Sequence, residues 1–523
     1  MSDGPRRPGR ERRESGQARG RGEPGEQRGR PQRAGPRGRS ASRPAERGRA
    51  GDPPRLAAYT VMRAVADGGY ANLELPGELR RRRLRGRDAA FATELTYGAT
   101  RMRGVYDRII AIAADRPITR IDGGVLDTLR LGLHQVLSMR VPPHAAADES
   151  VALARQVNGA GAAGLVNAVL RRVTEADLAT WLTRIIPSDA DVTTALAIEH
   201  SHPEWIAKAL RQALLGHDRA TPQTVDAELA ALLAADNSPG EVTLVARPGL
   251  STLADLESAG ARQHPHVPTA VLLAGGDPGG LAAVRTGRAA VQDAGSQVVA
   301  LALAALPRGD TAGSGPGGRE RWLDLCAGPG GKAGLLAALA IERGADLVAN
   351  EIAPHRAQLV AQTLIPAVER AAAAGLDLEV RTRDGRLLGG EEPAAYDRVL
   401  IDAPCTGLGA LRRRPEARWR RTPADLSALG QLQHELLDSA LTALAPGGVA
   451  AYATCSPHLA ETGFVVADVL RRHPDVIEVD AREAVAAVTT GWADLLGPGP
   501  AVQLWPHVHD TDAMFLALLR KRS

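Results

Sequence analysis

Three cysteines serve a chain of 523 residues, and each lies in a short motif of the C-terminal third: Asp324-Leu325-Cys326-Ala327-Gly328, Asp402-Ala403-Pro404-Cys405-Thr406 and Thr454-Cys455-Ser456-Pro457. Cys405 and Cys455 fall at the ends of expected strands and are followed by polar, turn-forming residues instead of an apolar run. That is the setting of thiols kept for thiolate chemistry. Cys326 reads as a small buried residue at a strand end. A thiolate that adds to carbon 6 of a cytosine makes carbon 5 enamine-like, able to attack a sulfonium methyl group. An acid near N3 would steady the ring charge, a role open to Asp402, and a second cysteine could assist release. Arginine replaces lysine almost everywhere, since only Lys208, Lys332 and Lys521 remain. The lysine of Gly330-Gly331-Lys332 therefore stands out.

These residues need a scaffold that gathers strand ends. After Arg319 the sequence alternates strand and helix, with strands expected at 322–326, 347–351, 378–384, 398–402 and 449–454. Such a series implies βαβ units and a largely parallel sheet that binds ligands at the carboxyl ends of its strands. The first strand runs into Cys326-Ala327-Gly328-Pro329-Gly330-Gly331-Lys332 and then a helix, a turn where the backbone approaches a ligand closely. It is not a P-loop, because Cys326 stands where the first glycine would be and Ala333 where a magnesium-binding hydroxyl would be. Glu351, about 20 residues on, is placed for a ribose diol, and Asp384 and Asp402 end the next two strands. The set suits a nucleoside-containing cofactor.

Upstream, residues 55–180 read as an all-α domain, with apolar residues such as Leu126, Leu129 and Leu133 at helical spacing. Residues 181–308 mix helices with a strand at 242–246 and read as a linker and small α+β subdomain. Residues 309–320 read as a Gly-rich loop before a catalytic domain over 321–523. Residues 1–54 form an Arg-, Gly- and Pro-rich tail too poor in large apolar residues to fold. Residues 1–50 hold 15 arginines and 6 acids, about +9, so the remainder, 49 basic against 54 acidic, is about −5. The tail is either a solubilising extension or a clamp on nucleic-acid phosphates. Sparse cysteine without a CxxC pair excludes a disulfide framework and a four-ligand zinc site, and no apolar run reaches the roughly 18 residues a membrane helix needs. A cytoplasmic, soluble protein without metal is expected.

The three cysteine motifs, with Arg414-Pro415-Glu416-Ala417-Arg418-Trp419, Gln292-Asp293-Ala294-Gly295-Ser296 and the closing Pro506-His507-Val508-His509-Asp510-Thr511-Asp512, resemble the RNA cytosine-5 methyltransferases of the Nop/Sun type. Leu129-Arg130-Leu131-Gly132-Leu133-His134-Gln135 and the segment 164–172 resemble a NusB-like RNA-binding domain, a combination similar to the bacterial 16S rRNA enzymes. The resemblance implies that Cys455 is the nucleophile and Cys405 the release cysteine, with Lys332 and Asp402 in the catalytic pocket. It implies S-adenosylmethionine held by the turn Cys326, Ala327, Gly328, Pro329, Gly330, Gly331 and Lys332 together with Glu351, Arg356, Asp384 and Asp402. The implied substrate is a cytosine of 16S rRNA, of the position-967 type, free or in a small-subunit assembly intermediate; the sequence does not give the oligomeric state, and a monomer is expected. Ala513-Met514-Phe515 departs from the usual Gly-Phe-Phe, and Gly295 stands where a larger residue is common, which bears on substrate fit.

The cluster Arg412, Arg413, Arg414, Arg418, Trp419, Arg420 and Arg421 is expected to contact RNA phosphate and stack on bases, with a solvated face as the plain alternative. His507 and His509 lack a third ligand nearby and are expected to pack a loop. Alternative functions are a tRNA cytosine-5 methyltransferase and a non-catalytic RNA-binding or antitermination factor.

Overall fold

The structure is a computed structural model that describes residues 51–257, 260–309 and 313–523; the expectations for residues 1–50 lie outside the described residues. The chain opens with helices Pro53–Ala66, Ala71–Arg81, Gly86–Arg101, Arg103–Ala114, Gly123–Leu137, Pro143–Val157 and Ala160–Val173. Local chemistry starts several of them. Asp122 caps its helix by accepting from the Gly124 and Val125 amides, and prolines occupy the first turns at Pro53 and Pro143. The apolar stripe Leu126, Leu129, Leu133 packs with Tyr106, Ile109, Val166 and Leu170 into one core, as its spacing requires. No helix among the described residues is long and apolar enough to cross a membrane.

Residues 181–308 do not form one body. Helices Val192–Glu199, Glu204–Gly216 and Val225–Asn237 share a core with Leu408, Leu411 and Trp505 of the C-terminal half. Strands β1 (Val242–Ala246), β2 (Ala261–Gln263), β3 (Ala270–Leu273) and β4 (Ala289–Val291) make a small antiparallel sheet in the order β2-β3-β1-β4. Helix Ala294–Ala305, expected upstream of the catalytic domain, packs inside its core. It is apolar around most of its surface, and such a helix is stable only when covered; its buried Gln297 is satisfied by Thr269 at 2.7 Å and the Gln292 carbonyl at 3.0 Å. The Gly-rich segment, of which 310–312 lie outside the described residues, is not a free linker at Ser314: that residue donates its amide and hydroxyl to buried Asp397, at 2.9 and 2.7 Å.

The main sheet contains β5 (Arg321–Asp324), β6 (Asp346–Asn350), β7 (Leu378–Arg381), β8 (Tyr396–Asp402), β9 (Leu444–Thr454), β10 (Val476–Val479), β11 (Val502–Gln503) and β12 (Phe515–Lys521). Its order is β10-β12-β9-β8-β5-β6-β7, with β11 paired to β12. Strands β5 to β9 pair in parallel, whereas β12 and β10 are antiparallel. Period-two alternation fills two cores. Trp322, Leu400 and Ala451 face the layer of Ala294–Ala305 and Gly331–Glu342, and Leu323, Ile401 and Tyr452 face that of Pro423–Ala443. The chain runs outward from β5 through β6 to β7 and returns to β8 on the other side of β5. This switch point opens a crevice at the carboxyl ends of β5 and β8. The third strand is shorter than its sequence suggests: β7 ends at Arg381, because Asn350 accepts the Arg383 amide at 3.1 Å and turns the chain away from the sheet.

Candidate active site

Parallel pairing of β8 and β9 aligns Asp402 with Ala453, and the Ala403 amide continues the ladder to the Ala453 carbonyl at 2.9 Å. The loops leaving these strands carry Cys405 and Cys455, whose sulfurs lie 3.4 Å apart. The Cys405 loop is held from below by Glu461, which is fully buried and accepts from the Thr406 amide at 2.8 Å and the Thr406 hydroxyl at 2.5 Å. Gln433 donates to the Pro404 carbonyl at 2.8 Å, and Arg421 to the Thr406 carbonyl at 3.1 Å. Glu461 had no assigned role in the sequence and lies six residues past Cys455 in no recognisable motif, whereas Arg421, expected to contact RNA phosphate, here braces the Cys405 loop. Gly409 ties the two loops together: its amide donates to the Cys455 carbonyl at 2.9 Å and its carbonyl accepts from Ala513 at 2.8 Å. A Cβ there would lie 2.1 Å from the Ala513 oxygen, so this close approach requires glycine.

The two thiols are electrostatically unequal. The hydrogen bond from Cys405 holds the Cys455 thiol below its ordinary pKa, with help from the Lys332 ammonium. The same hydrogen bond, followed by burial, pushes Cys405 well above. The shifts favour the thiolate at Cys455 and the thiol at Cys405, with the thiol donating. Lys332 is buried and its ammonium lies 2.9 Å from Asp402. Burial opposes its charge, and Asp402 outweighs that and keeps the ammonium pKa raised. Asp324, at the end of β5, is fully buried. Burial, then the nearby Asp402 charge, pushes its pKa up to about 8. Asp324, part of the first cysteine motif, has no role legible in the sequence. Cys326 is kept as a thiol by burial and packs against the apolar core.

The glycine turn follows β5 at the crevice. Glu351, buried, accepts from the Gly328 amide at 3.1 Å and the Ala353 amide at 2.9 Å. Arg356 donates to the Gly328 carbonyl at 2.5 Å and lies 3.5 Å from Glu351. Gly331, at the start of the following helix, has open space where a side chain would be. Asp384 is not a strand end: it caps helix Gly385–Glu391 and pairs with Arg386 at 2.6 Å, which keeps its carboxyl below the usual range. The turn, the helix N-terminus and the acids Glu351 and Asp384 along one crevice fit a charged nucleoside cofactor.

The arginine cluster differs from its expectation. Arg418 is fully buried and donates to Asn237 and to the Asp236 carbonyl, both at 2.8 Å, and to the carbonyls of Arg101 and Ser201 at 3.4 Å. Arg412 is buried and pairs with Asp510; Arg413 pairs with buried Asp512. Arg420 donates to the Val65 and Gly69 carbonyls. Trp419 lies against the helical region, with Arg103 over its ring at 5.6 Å, and a Cβ on Gly104 would come within 2.5 Å of the ring. Arg418, Trp419 and Arg420 are thus braces between the helical region and the catalytic half, and Arg412 is tied within the catalytic half to Asp510, so these four are not a free surface for RNA. Arg414 remains exposed. The two motifs flanking the catalytic region also meet, since Asp293 accepts from the Thr511 hydroxyl at 2.5 Å and the Gly295 amide at 3.0 Å. His507 bonds Glu228 at 2.9 Å and His509 accepts from the Trp505 amide at 3.0 Å.

Comparison with known proteins agrees with this arrangement. Residues 315–520 match the family model described as 16S rRNA methyltransferase RsmB/F, and residues 52–175 match the NusB family. The chain is 49% identical over 474 residues to Rv1407 of Mycobacterium tuberculosis, a protein named as a methyltransferase with no substrate in its name; the match covers 90% of this chain and 97% of that one. It is 31% identical over 477 residues to the ribosomal RNA small subunit methyltransferase B of Salmonella paratyphi B, covering 89% and 98%. The crystal structure of PH0851 superposes with a TM-score of 0.70 at 21% identity, covering 91% of this chain and 100% of that one, a likeness of fold. With a NusB-like helical region joined to a Rossmann-like catalytic half, the chain belongs to the RsmB/F family of S-adenosylmethionine-dependent RNA methyltransferases.

Proposed function

We propose that the protein methylates carbon 5 of a cytosine in 16S rRNA through a covalent adduct of Cys455 with carbon 6. The observation that carries this reading is the pair of sulfurs 3.4 Å apart, one favouring the thiolate and the other the thiol. Bound S-adenosylmethionine supplies a methyl group on a positively charged sulfur, and the residues suited to hold it are those of the glycine turn with Glu351, Arg356, Asp384 and Asp402. The Cys455 thiolate forms a bond to carbon 6, and the C5–C6 π electrons move to carbon 5, which would take the methyl group as its bond to the cofactor sulfur breaks, the electron pair staying on that sulfur and S-adenosylhomocysteine leaving. Asp402, kept in place by Lys332, faces the ring where charge accumulates. A base removes the carbon 5 proton, the electrons re-form the double bond, and the C6–S bond breaks. The Cys405 thiol then donates to the departing Cys455 sulfur and lowers the barrier to its release. RNA as substrate is supported by the family, and rRNA by the Salmonella relative's name together with the NusB-like region. The same roles follow for the position-967-type cytosine that the family resemblance implies.

Replacing either thiol separates the roles. Cys405→Ala still attacks but releases slowly, so denaturing electrophoresis with labelled 16S rRNA transcript should show a protein–RNA band that survives denaturant. Cys455→Ala should show none. The opposite pattern would make Cys405 the nucleophile, and no band in either variant would remove the covalent mechanism.

A further inference from the structure

Between helix Gly86–Arg101, strands β1 and β4, and the segment after the catalytic loop lies a cavity of about 280 Å³, walled in part by Tyr97, Arg101, Val291, Arg412, Arg413 and Arg414. Most charges on its wall are committed. Arg412 pairs with Asp510 and Arg413 with Asp512. Glu94 bonds His134 at 3.2 Å, Glu241 pairs with Arg262 at 2.5 Å, and Asp293 accepts from Thr511. Arg101 is the exception. It is 6% exposed, its Nε has no hydrogen-bond partner, and its guanidinium lies over the Tyr97 ring at 5.7 Å; among the described residues it makes no ion pair within 4 Å, the Glu94 carboxylate acting on it only at longer range. Burying a cation without a counter-ion is expensive, and this one is kept where Tyr97 and Val291 offer an apolar wall beside it. Arg414, exposed on the same wall, adds a second cation. The cavity lies close to the catalytic loops, since the Arg413 amide on its wall bonds the Ala410 carbonyl at 3.1 Å and the neighbouring Gly409 amide bonds the Cys455 carbonyl at 2.9 Å.

We infer that this cavity is a subsite for the RNA strand beside the target cytosine, in which a phosphodiester supplies the missing counter-ion of Arg101 and an adjoining base or sugar lies against Tyr97. The inference rests on the reading that RNA is the substrate. The volume is just below the range that holds drug-sized ligands, which limits the occupant to one nucleotide unit. The helical region thereby contributes a side chain to the substrate path directly, and the catalytic half alone would lack it.

Arg101→Met in the full chain tests this. Its main-chain carbonyl, the acceptor for Arg418, is untouched by the substitution. Affinity for a 16S rRNA transcript, measured by filter binding across a salt series, should fall about tenfold, and the slope of log affinity against log salt should flatten by about one. The thermal midpoint should be no lower than the parent's, because an unpaired buried charge has been removed. Val291→Asp, at a position 51% exposed, places an acid at the cavity mouth without touching the core and should weaken RNA binding in the same direction. Unchanged RNA affinity in either variant overturns the subsite. So does a midpoint raised by inorganic phosphate in the parent alone while the RNA salt slope stays the same, which would assign the cavity to a free anion. The adduct assay with Cys405→Ala on the same transcript reads the methylation chemistry independently of Arg101, so either conclusion can fail alone.

Discussion

At Cys455 a single hydrogen bond decides reactivity. The Cys405 thiol is the largest influence lowering the Cys455 pKa, and the Lys332 ammonium adds to it, whereas burial and Asp402 oppose them. Cys405→Ala removes the donor, so the pH midpoint of Cys455 alkylation by iodoacetamide should move upward, and alkylation at pH 7 should slow. Peptide mapping of the alkylated chain checks it: Cys326, held as a thiol by burial, should stay unlabelled in both proteins. A midpoint unmoved by the substitution would show that the two sulfurs do not share a proton.

Elements meet at the braces around Arg418, and there a buried acid makes stability depend on pH. Asp236, on helix Val225–Asn237, lies 3.4 Å from His202 and is fully enclosed. Burial pushes its pKa up to about 7, although Arg418 and Arg412 pull it back. The folded form thus holds a proton between about 4 and 7 where the unfolded chain, near the ordinary 3.9, has lost it, and stability falls as pH rises through that window. Three pKa units bound the effect at about 4 kcal/mol. Asp236→Asn cannot ionise, so its urea midpoint should change less between pH 4.5 and pH 8 than the parent's, by the equivalent of about 1 to 4 kcal/mol. Parallel pH dependence in parent and variant would remove Asp236 as the source. The same braces explain how helices of the NusB-like region, hundreds of positions away in sequence, steady the loop that carries Cys405, because Arg421 reaches Thr406 from the segment that Arg418 anchors.

For the molecule as a whole, charge is divided between a tail at about +9 and a remainder at about −5. Fifteen arginines without a compensating acid run suit a sequence-independent hold on phosphate. A chain lacking residues 1–50 should bind 16S rRNA more weakly at low salt, with a flatter salt dependence, and should keep its turnover at saturating RNA. Filter binding and methyl incorporation from labelled S-adenosylmethionine measure the two quantities. An unchanged salt slope would leave the tail as a solubilising extension. The Arg101 subsite and the tail make separate contributions in this picture, one or two phosphates at the crevice and several outside it, so the two losses should add in free energy if they are independent.

Local pattern was enough to read the alternating strands, the glycine turn after β5 and the strand-end turns that carry Cys405 and Cys455, because hydrophobic period and turn chemistry are written in neighbouring residues. It also read the NusB-like helices, whose apolar stripes and caps need no distant partner to be recognised. What lay beyond it is long-range. That Cys405 and Cys455, fifty positions apart, lie in contact follows from the pairing of β8 with β9, and the inequality of the thiols follows from burial and from Lys332. Asp384 left the sheet for a helix cap because Asn350 turns the chain early. The arginines after the catalytic loop looked like a surface for RNA, since six cations in ten residues are usually solvated. Packing of the helical region against that segment buried Arg418 instead, and it left Arg101, unremarkable in the sequence, enclosed without an ion pair among the described residues. Burial and partner choice depend on which surfaces are brought together, and only the tertiary structure decides that.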